Sequence, residues 1–496
     1  MSTAAPSQSD NSERVAPDPN RWRALVVIAI AQLMVVLDAS IVNIALPSMQ
    51  ADLGISDANR QWVVTAYTLA FGGLLLLGGR IADFQGRKRM FIVGLIGFAA
   101  ASALGGLSVN AEMLFAARGL QGVFAALLAP AALSLISVTF TDSKERAKAF
   151  GVYGALSGAG AAIGLVLGGI LTEYASWHWT LLVNVPIALV AVFLGVAYVK
   201  ESRSTGDTKY DIPGAITATL GLISLVFGIT KAESDGWAGT STLSFIGAAI
   251  VLLVLFFIIE NRSSHPLLPL AIIKNRNRGG AYLASFFVGI GLFSMFLFLT
   301  YFFQIVLGYT PLKAGLLFLP FSAGVIISAG IASQLLPRFG PRYVTFGGFI
   351  LATTGMLLLT QLGAASSYWP NILPALIIIS LGMGLIFVPL SATALFAVGN
   401  HDAGVASAVL NTSQQIGGSI GIAFLNTIAT SATAAYVIAN NVDPFDANAQ
   451  VEGYVDAFMW GAGILAIGGI IWVSLVRVSR KDMESGDTAA PIHVKK

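Results

Sequence analysis

Hydrophobic and polar residues alternate along this chain in long blocks rather than residue by residue. Apolar runs of about twenty residues, enough for a helix to cross a hydrocarbon core about 30 Å thick, are separated by short segments rich in Gly, Pro and charged residues. A window of about 19 residues predicts fourteen such helices, which we number as spans 1 to 14. They lie near residues 24–46, 61–79, 88–108, 112–138, 148–172, 178–199, 211–230, 241–260, 278–304, 311–336, 343–362, 370–397, 404–432 and 454–476.

The positive charges fall on alternate loops between these spans. With the N-terminus inside the cell, all but four of the 28 Lys and Arg residues lie in segments on the cytoplasmic side. The exceptions are Arg60, Arg118, Lys231 and Lys313. Because cytoplasmic loops retain Lys and Arg, the pattern predicts a multi-pass protein of the cytoplasmic membrane with both termini in the cytoplasm.

The loops also divide the chain into segments. We expect a cytoplasmic disordered tail at 1–23, an N-terminal six-helix bundle at 24–200, a linker with the inserted spans 7 and 8 at 201–260, a basic loop and C-terminal six-helix bundle at 261–476, and a cytoplasmic tail at 477–496. The fold class is therefore an all-α integral membrane protein with two six-helix bundles plus two extra helices.

A degenerate internal repeat favours two related halves. The segment 81–86 reads IADFQG, and its echo at 335–340 reads LLPRFG. Gly340 matches Gly86, while Pro337 stands where Asp83 would be. Together with the order and polarity of the spans, the repeat fits two bundles around a cavity near the middle of the membrane.

Composition narrows the function further. The chain is 56% hydrophobic and 11% charged, with a mean hydropathy of +0.78 and a net charge of +3, so nothing indicates a nucleic-acid partner. It has no cysteine, four scattered histidines and no phosphate-binding Gly-x-x-x-x-Gly-Lys-Ser/Thr loop. These features argue against an ATP-driven pump and a membrane enzyme, and we expect no catalytic residue, metal or cofactor.

Asp38 is the foremost candidate for chemistry. It lies in span 1, about 4–5 Å from the expected midplane, where a bare carboxylate costs roughly 3 kcal/mol or more. It must therefore be protonated, paired or exposed to a water-filled cavity. A proton and a cationic substrate that compete for one carboxyl would couple their movements. A purely structural ion pair remains an alternative.

Arg118 in span 4 is the expected partner of Asp38. Both residues lie in the outer half of the membrane, and their difference in depth of roughly 5 Å is within the reach of an arginine side chain. An arginine that extends towards the membrane surface is the alternative.

The loop between spans 2 and 3 combines glycines with a dense set of charges. It reads GGRIADFQGRKR over residues 78–89. Small residues allow the two helices to pack closely, and Asp83 can pair with the arginines or cap a helix. We expect this loop to act in gating, through Gly79, Asp83, Gly86, Arg87 and Lys88.

Span 5 carries a face of glycines at a spacing near four, which lets helices approach and slide. Its members are Gly154, Gly158, Gly164, Gly168 and Gly169. Generic helix packing is the alternative explanation.

Neutral polar residues and one aromatic ring could line a substrate cavity, although such amides also join helices. The candidates are Asn43, Gln121, Asn411, Gln414, Gln415 and Phe296. We expect most of the phenylalanines of span 9 to face lipid.

These motifs resemble those of the major facilitator superfamily, and a 6+2+6 layout resembles its fourteen-span drug:proton antiporter branch. The matching strings are GGRIADFQGRKR at 78–89, LDASIVNIALP at 37–47, RGLQG at 118–122, the glycines of span 5, WHW at 177–179 and NVP at 184–186. One departure is Leu165, where the branch usually has a proline that kinks span 5.

The resemblance implies a proton-coupled exporter of small hydrophobic or cationic compounds such as drugs, antibiotics and biocides, with alternating access. Its proton-coupling residues would be Asp38 and Arg118. The partners would be the substrate, protons and membrane lipid, and the protein would be a monomer. A proton-coupled exporter or symporter of an endogenous metabolite is the alternative.

Overall fold

The computed structural model describes residues 19–140, 142–203, 211–263, 266–268, 273–396, 398 and 403–478. Every regular element within these ranges is a helix. Spans 1 to 5 are Arg21–Leu53, Trp62–Gln85, Arg87–Gly106, Ala111–Thr139 and Ser143–Tyr174. Span 6 joins His178–Leu182 to Asn184–Tyr198, and spans 7 and 8 are Ile212–Asp235 and Thr240–Arg262.

The remaining helices form the second half of the chain. Span 9 is Arg276–Tyr301, continued by a π turn at Phe302–Val306. Span 10 begins with Pro311–Leu317 and runs into Leu319–Leu359, which also contains span 11. Spans 12 to 14 are Leu373–Ala394, preceded by a π turn at Tyr368–Ile372, then Ala403–Asn440 and Ala447–Leu475.

The structure confirms fourteen spans. In the part of the chain that it describes, 12 helical segments are long and apolar enough to cross a membrane. One of them, Pro311–Leu359, has 49 residues and would be about 74 Å long as one straight helix, more than twice a bilayer core. It reverses at Gly340 and therefore supplies two spans. The 32-residue helix Ser143–Tyr174 is the fourteenth.

The internal repeat appears in the backbone. Gly86 joins spans 2 and 3 with a φ of 114°, and Gly340 joins spans 10 and 11 with a φ of 74°. Positive φ is costly for residues that carry a Cβ, so glycine allows each pair of helices to meet at a tight corner. The two halves thus use the same turn at equivalent places.

We call the end of the molecule that carries the loop 78–89 the basic face, and the other end the opposite face. Hydrogen bonds join the two halves from mid-membrane to the opposite face. The pairs are Gly72 O with Thr412 Oγ1 (3.2 Å), Thr68 Oγ1 with Ser419 Oγ (2.5 Å), Ile44 O with Gln304 Nε2 (2.8 Å), Gln50 Oε1 with the Tyr301 hydroxyl (2.5 Å), and Glu173 Oε2 with Leu312 N (3.1 Å). The structure is therefore closed at the opposite face.

The apolar cores follow the same division. One buried cluster holds spans 1 to 6 together, from Ala24 to Val199. A larger one fills spans 9 to 14 and continues into the N-terminal half from the middle of span 1, at Leu37, to the opposite face, at Met49 and Val63. The hairpin of spans 7 and 8 attaches mainly through span 7, because only 11% of the residues in the apolar stretch of span 8 are buried.

Gly340→Ala should destabilise the protein. An alanine at this positive φ costs about 1–2 kcal/mol, so the midpoint of thermal unfolding in detergent should fall. Gly347→Ala is the matched control, because it lies on the same helix with open space around its Cα. Equal midpoints for the two variants would show that an alanine at position 340 adopts this positive φ without a measurable cost in stability.

Candidate transport site

Asp38 lies one residue past the middle of the 33-residue helix of span 1. Its side chain is completely buried. A carboxylate in this position needs charge and hydrogen-bond partners from neighbouring helices, since water does not reach it.

Three side chains supply these partners. Arg118 Nη1 lies 2.6 Å from Asp38 Oδ2. The amides of Asn184 and Gln121 donate to Asp38 Oδ1 at 2.8 and 3.0 Å. Both oxygens of the carboxylate are therefore satisfied, and its negative charge is balanced by a buried cation.

Arg118 is held in turn by its own surroundings. Its Nε donates to Val63 O at 2.9 Å, its Nη1 donates to Gln121 Oε1 at 2.8 Å, and its guanidinium lies 4.6 Å from the centre of the Tyr67 ring. The side chain is 1% exposed, so it does not extend to the membrane surface in this conformation. Gln121 also donates to Ser102 Oγ at 2.7 Å, which brings span 3 into the network.

We call Asp38, Ser102, Arg118, Gln121 and Asn184 the Asp38 cluster. Sequence reasoning missed Asn184 as a partner of Asp38 and gave it only as part of the string NVP at 184–186. A usable signal was present, because an amide inside an apolar run is costly unless it is hydrogen-bonded. Gln121, a candidate for the substrate cavity, is completely buried in this cluster.

The glycine face of span 5 packs against span 1 beside Asp38. A Cβ at Gly164 would overlap Ser40 Oγ, and one at Gly168 would lie 2.9 Å from Ile41. Gly169 faces the other half instead, where a Cβ would lie 2.5 Å from Leu312 Cα. Gly154 and Gly158 lie outside the residues whose packing the structure describes.

At the basic face, Asp83 and Arg87 form an ion pair of 2.8 Å. Gly79 packs on span 4, where a Cβ would lie 3.4 Å from Pro130. Lys88 Nζ donates to Val196 O at 2.8 Å. The loop between spans 2 and 3 is thus fixed to spans 4 and 6 of its own bundle.

Glu201 completes this loop, and sequence reasoning missed it. Its carboxylate accepts the backbone N–H groups of Lys88 and Arg89, both at 3.1 Å, at the N-terminus of span 3, where a negative charge is stabilising. A Cβ at Gly86 would lie 2.8 Å from Glu201 Cδ, so a side chain there would displace this carboxylate from its hydrogen bonds. Glu201 therefore packs with the N-terminal bundle, although we assigned it to the linker.

The other cavity candidates differ in their surroundings. Asn43 donates to Ala39 O of its own helix at 3.0 Å. Asn411 is exposed, and Gln414 and Gln415 are half-buried. Phe296 packs against Phe318 and Phe321, with ring centres 5.1 and 5.2 Å apart.

The expectation that most phenylalanines of span 9 face lipid is wrong. Phe298, Phe302 and Phe303 are completely buried, and the other four on this span are half-buried. The ring of Phe298 lies 5.8 Å from that of Tyr454, and the ring of Phe303 lies 5.2 Å from that of Phe318. These aromatic contacts place span 9 in the interior of its half.

Two helical halves that close against each other at one face, with a buried ion pair inside one half, form the architecture typical of a secondary transporter. The family model of the Major Facilitator Superfamily matches residues 28–422. The chain belongs to this superfamily.

Curated relatives match over nearly the whole chain. Puromycin resistance protein pur8 of Streptomyces alboniger is 48% identical over 479 residues, which cover 95% of each chain. Cephamycin export protein CmcT of Amycolatopsis lactamdurans is 37% identical over 415 residues, which cover 83% of this chain and 85% of that one. A solved structure of a bacterial homologue of the human lysosomal transporter Spinster shares the fold, with a TM-score of 0.66 and 15% identity over 94% of this chain and 98% of that one.

Gly164→Ala should separate spans 1 and 5 next to Asp38. The added methyl group overlaps Ser40 Oγ, and overpacking of this kind typically costs about 1–3 kcal/mol. We expect a lower unfolding midpoint and slower transport. Gly151→Ala on the same helix meets open space and serves as the control. An unchanged midpoint for Gly164→Ala would mean that span 5 accommodates the methyl group by sliding.

Proposed function

We propose that the protein exports small hydrophobic or cationic compounds, antibiotics among them, across the cytoplasmic membrane in exchange for protons. The observation that carries this proposal is the buried ion pair between Asp38, near the middle of span 1, and Arg118 of span 4. The named activities of the relatives, resistance to puromycin and export of a cephamycin, support the substrate class and the direction.

The Asp38 cluster suits proton exchange because the charge of Asp38 can be balanced in two ways, by a cation or by a proton. With Arg118 in contact, the negative charge of Asp38 is balanced by a cation. When Arg118 or a cationic substrate moves away, the buried site loses its counter-charge, and a proton from the other side of the exchange replaces it. Movement of the helices around Asp38 thereby sets which ligand it holds.

In this proposal the basic face is cytoplasmic, both termini lie in the cytoplasm, and the opposite face is extracellular. The halves at 24–200 and 261–476 rock about the site, while spans 7 and 8 form the insertion between them. The half-buried Gln414 and Gln415, together with Asn43 and Phe296, are the side chains available to contact substrate. The protein acts as a monomer in lipid and carries out no covalent chemistry.

Export of an endogenous metabolite, or its uptake with protons, is the second candidate function. It shares the Asp38 cluster and differs only in substrate and direction. Puromycin accumulation in cells with and without the transporter separates the two. Lower accumulation in expressing cells supports drug export, and equal accumulation across a panel of antibiotics supports the metabolite.

Asp38→Asn should abolish proton-coupled transport. The amide has nearly the same volume as the carboxyl group but does not titrate. Substrate-induced proton release from the purified protein, measured with a pH dye, should fall to background. Undiminished release would show that another group carries the proton.

Stability must be separated from coupling in this experiment. Removing one partner of a buried ion pair leaves a bare charge and typically costs about 3–5 kcal/mol. The double variant Asp38→Asn with Arg118→Gln removes both charges, so its unfolding midpoint should recover towards that of the unaltered protein while proton release stays absent. Glu112→Gln, an exposed acid of the same half, is the control for charge removal.

Asp83→Asn should slow transport with little change in substrate affinity. The pair with Arg87 lies at the basic face and is partly exposed, at 34% for Asp83, so its loss costs little stability. It shapes the turn that Glu201 also holds, and Glu201→Gln should therefore act in the same direction. Transport rates and substrate binding, measured separately, test this. A loss of affinity as large as the loss of turnover would place Asp83 in the binding site.

A further inference from the structure

Asn426 of span 13 holds the loop between spans 1 and 2 across the two halves at the opposite face. Its Oδ1 accepts Arg60 Nε at 3.0 Å, and its Nδ2 donates to Asp57 O at 2.8 Å. The oxygen and the nitrogen of this one amide therefore both form hydrogen bonds with the other half of the protein.

Arg60 is the charge at the centre of this contact. It is 2% exposed, forms an ion pair of 3.2 Å with Asp57, and lies 4.1 Å from the centre of the Tyr301 ring of span 9. Asp57 belongs to the same loop as Arg60, whereas Asn426 and Tyr301 belong to the other half. Arg60 thus keeps its counter-charge when the halves part, and it loses the neutral partners that bury it.

The inserted hairpin joins the same contact at the neighbouring residues. Gln61 Nε2 of the N-terminal half donates to Thr230 Oγ1 of span 7 at 2.8 Å. Thr427 Oγ1 of span 13 lies 3.2 Å from Ile229 O of span 7 and 2.9 Å from Ala423 O of its own helix, so its single proton is shared between the two carbonyl groups. Consecutive residues on three segments therefore meet at one place: 60 and 61, 229 and 230, and 426 and 427.

An apolar cluster lies next to these polar contacts, on the side away from the opposite face. It consists of Leu69 of span 2, Ala423 of span 13, and Leu222, Val226 and Ile229 of span 7. Span 7 is thus packed against one helix of each half, and its hydrogen bonds lie at the end of this packing that is nearest the opposite face.

We propose that span 7 acts as a strap that holds the opposite face closed. The strap and the Arg60–Asn426 contact together form the gate at that face. The proposal rests on the alternating access of the proposed function, and it gives the inserted span 7 a role: it slows the opening step by which substrate would leave. For the opposite face to open, span 7 must break its contact with one half, either at Thr230 or at Ile229, while it stays packed against the other half.

A cysteine reporter can test this directly, because the chain contains no cysteine. Thr65 of span 2 is completely buried, and its hydroxyl has no hydrogen-bond partner, so Thr65→Cys removes no hydrogen bond. The test variant adds Thr230→Val and Thr427→Val. The control adds Thr217→Val, because Thr217 is also buried on span 7 but bonds only to Pro213 O and Gly214 O of its own helix.

The measurement is the rate at which a hydrophilic thiol reagent labels the introduced thiol in Thr65→Cys protein purified in detergent. Loss of one ordinary hydrogen bond at Thr230 and one shared hydrogen bond at Thr427 should shift the equilibrium about tenfold, so labelling of the test variant should be about tenfold faster than that of the control. Asn426→Leu, which removes both amide contacts, should accelerate labelling as well. Unfolding midpoints identify any variant that labels quickly because it is unfolded.

Equal labelling rates for the folded test variant and the Thr217→Val control would overturn the strap. Because labelling needs neither substrate nor a proton gradient, this result would leave proton-coupled export untouched. Conversely, faster labelling together with normal proton release from Asp38→Asn would support the strap and refute the proposed coupling site.

Discussion

The packing of the N-terminal half depends on the ion pair between Asp38 and Arg118. Burying a charge costs several kcal/mol even after the protein relaxes, and the mutual attraction of two charges repays this only when their remaining hydrogen-bonding atoms are satisfied. Five helices contribute to that end: span 1 supplies Asp38, span 4 supplies Arg118 and Gln121, and spans 2, 3 and 6 supply Val63 O, Ser102 and Asn184. The packing of this half is therefore specified around one pair of side chains.

Span 5 connects this pair with the other half. Its Gly164 and Gly168 lie against Ser40 and Ile41, next to Asp38, while the adjacent Gly169 lies against Leu312 at the start of span 10. A shift of span 5 along span 1 would change both contacts together. The glycines make such a shift possible because helices without side chains at their interface have few ridges to cross. Leu165, in place of the proline usual in the branch, leaves span 5 as one continuous helix.

The sequence was a good guide wherever one helix, or one pair of helices, determined the outcome. Span length and charge placement predicted the fourteen helices, and depth along two helices predicted that Asp38 and Arg118 could meet. Contacts between distant segments were not readable in this way. Asn184 lies 146 residues from Asp38, and Glu201 lies 113 residues from Lys88, so only the packed bundle brings them together. The phenylalanines of span 9 were misjudged for a related reason, since hydrophobicity alone does not distinguish a helix face in lipid from one in a protein core.

The fixed charge of Arg118 has an electrical consequence for the proposed cycle. If Arg118 keeps its charge throughout the proposed cycle, Asp38 is the member of the pair that exchanges a proton, and one proton would enter for each turnover. A neutral substrate that leaves in exchange for this proton moves one elementary charge inwards, and a membrane potential of 100 mV then supplies about 2.3 kcal/mol. A monovalent cation leaves with no net charge movement, so only the difference in pH drives it. The same site would thus draw on different components of the proton-motive force, according to the charge of its cargo.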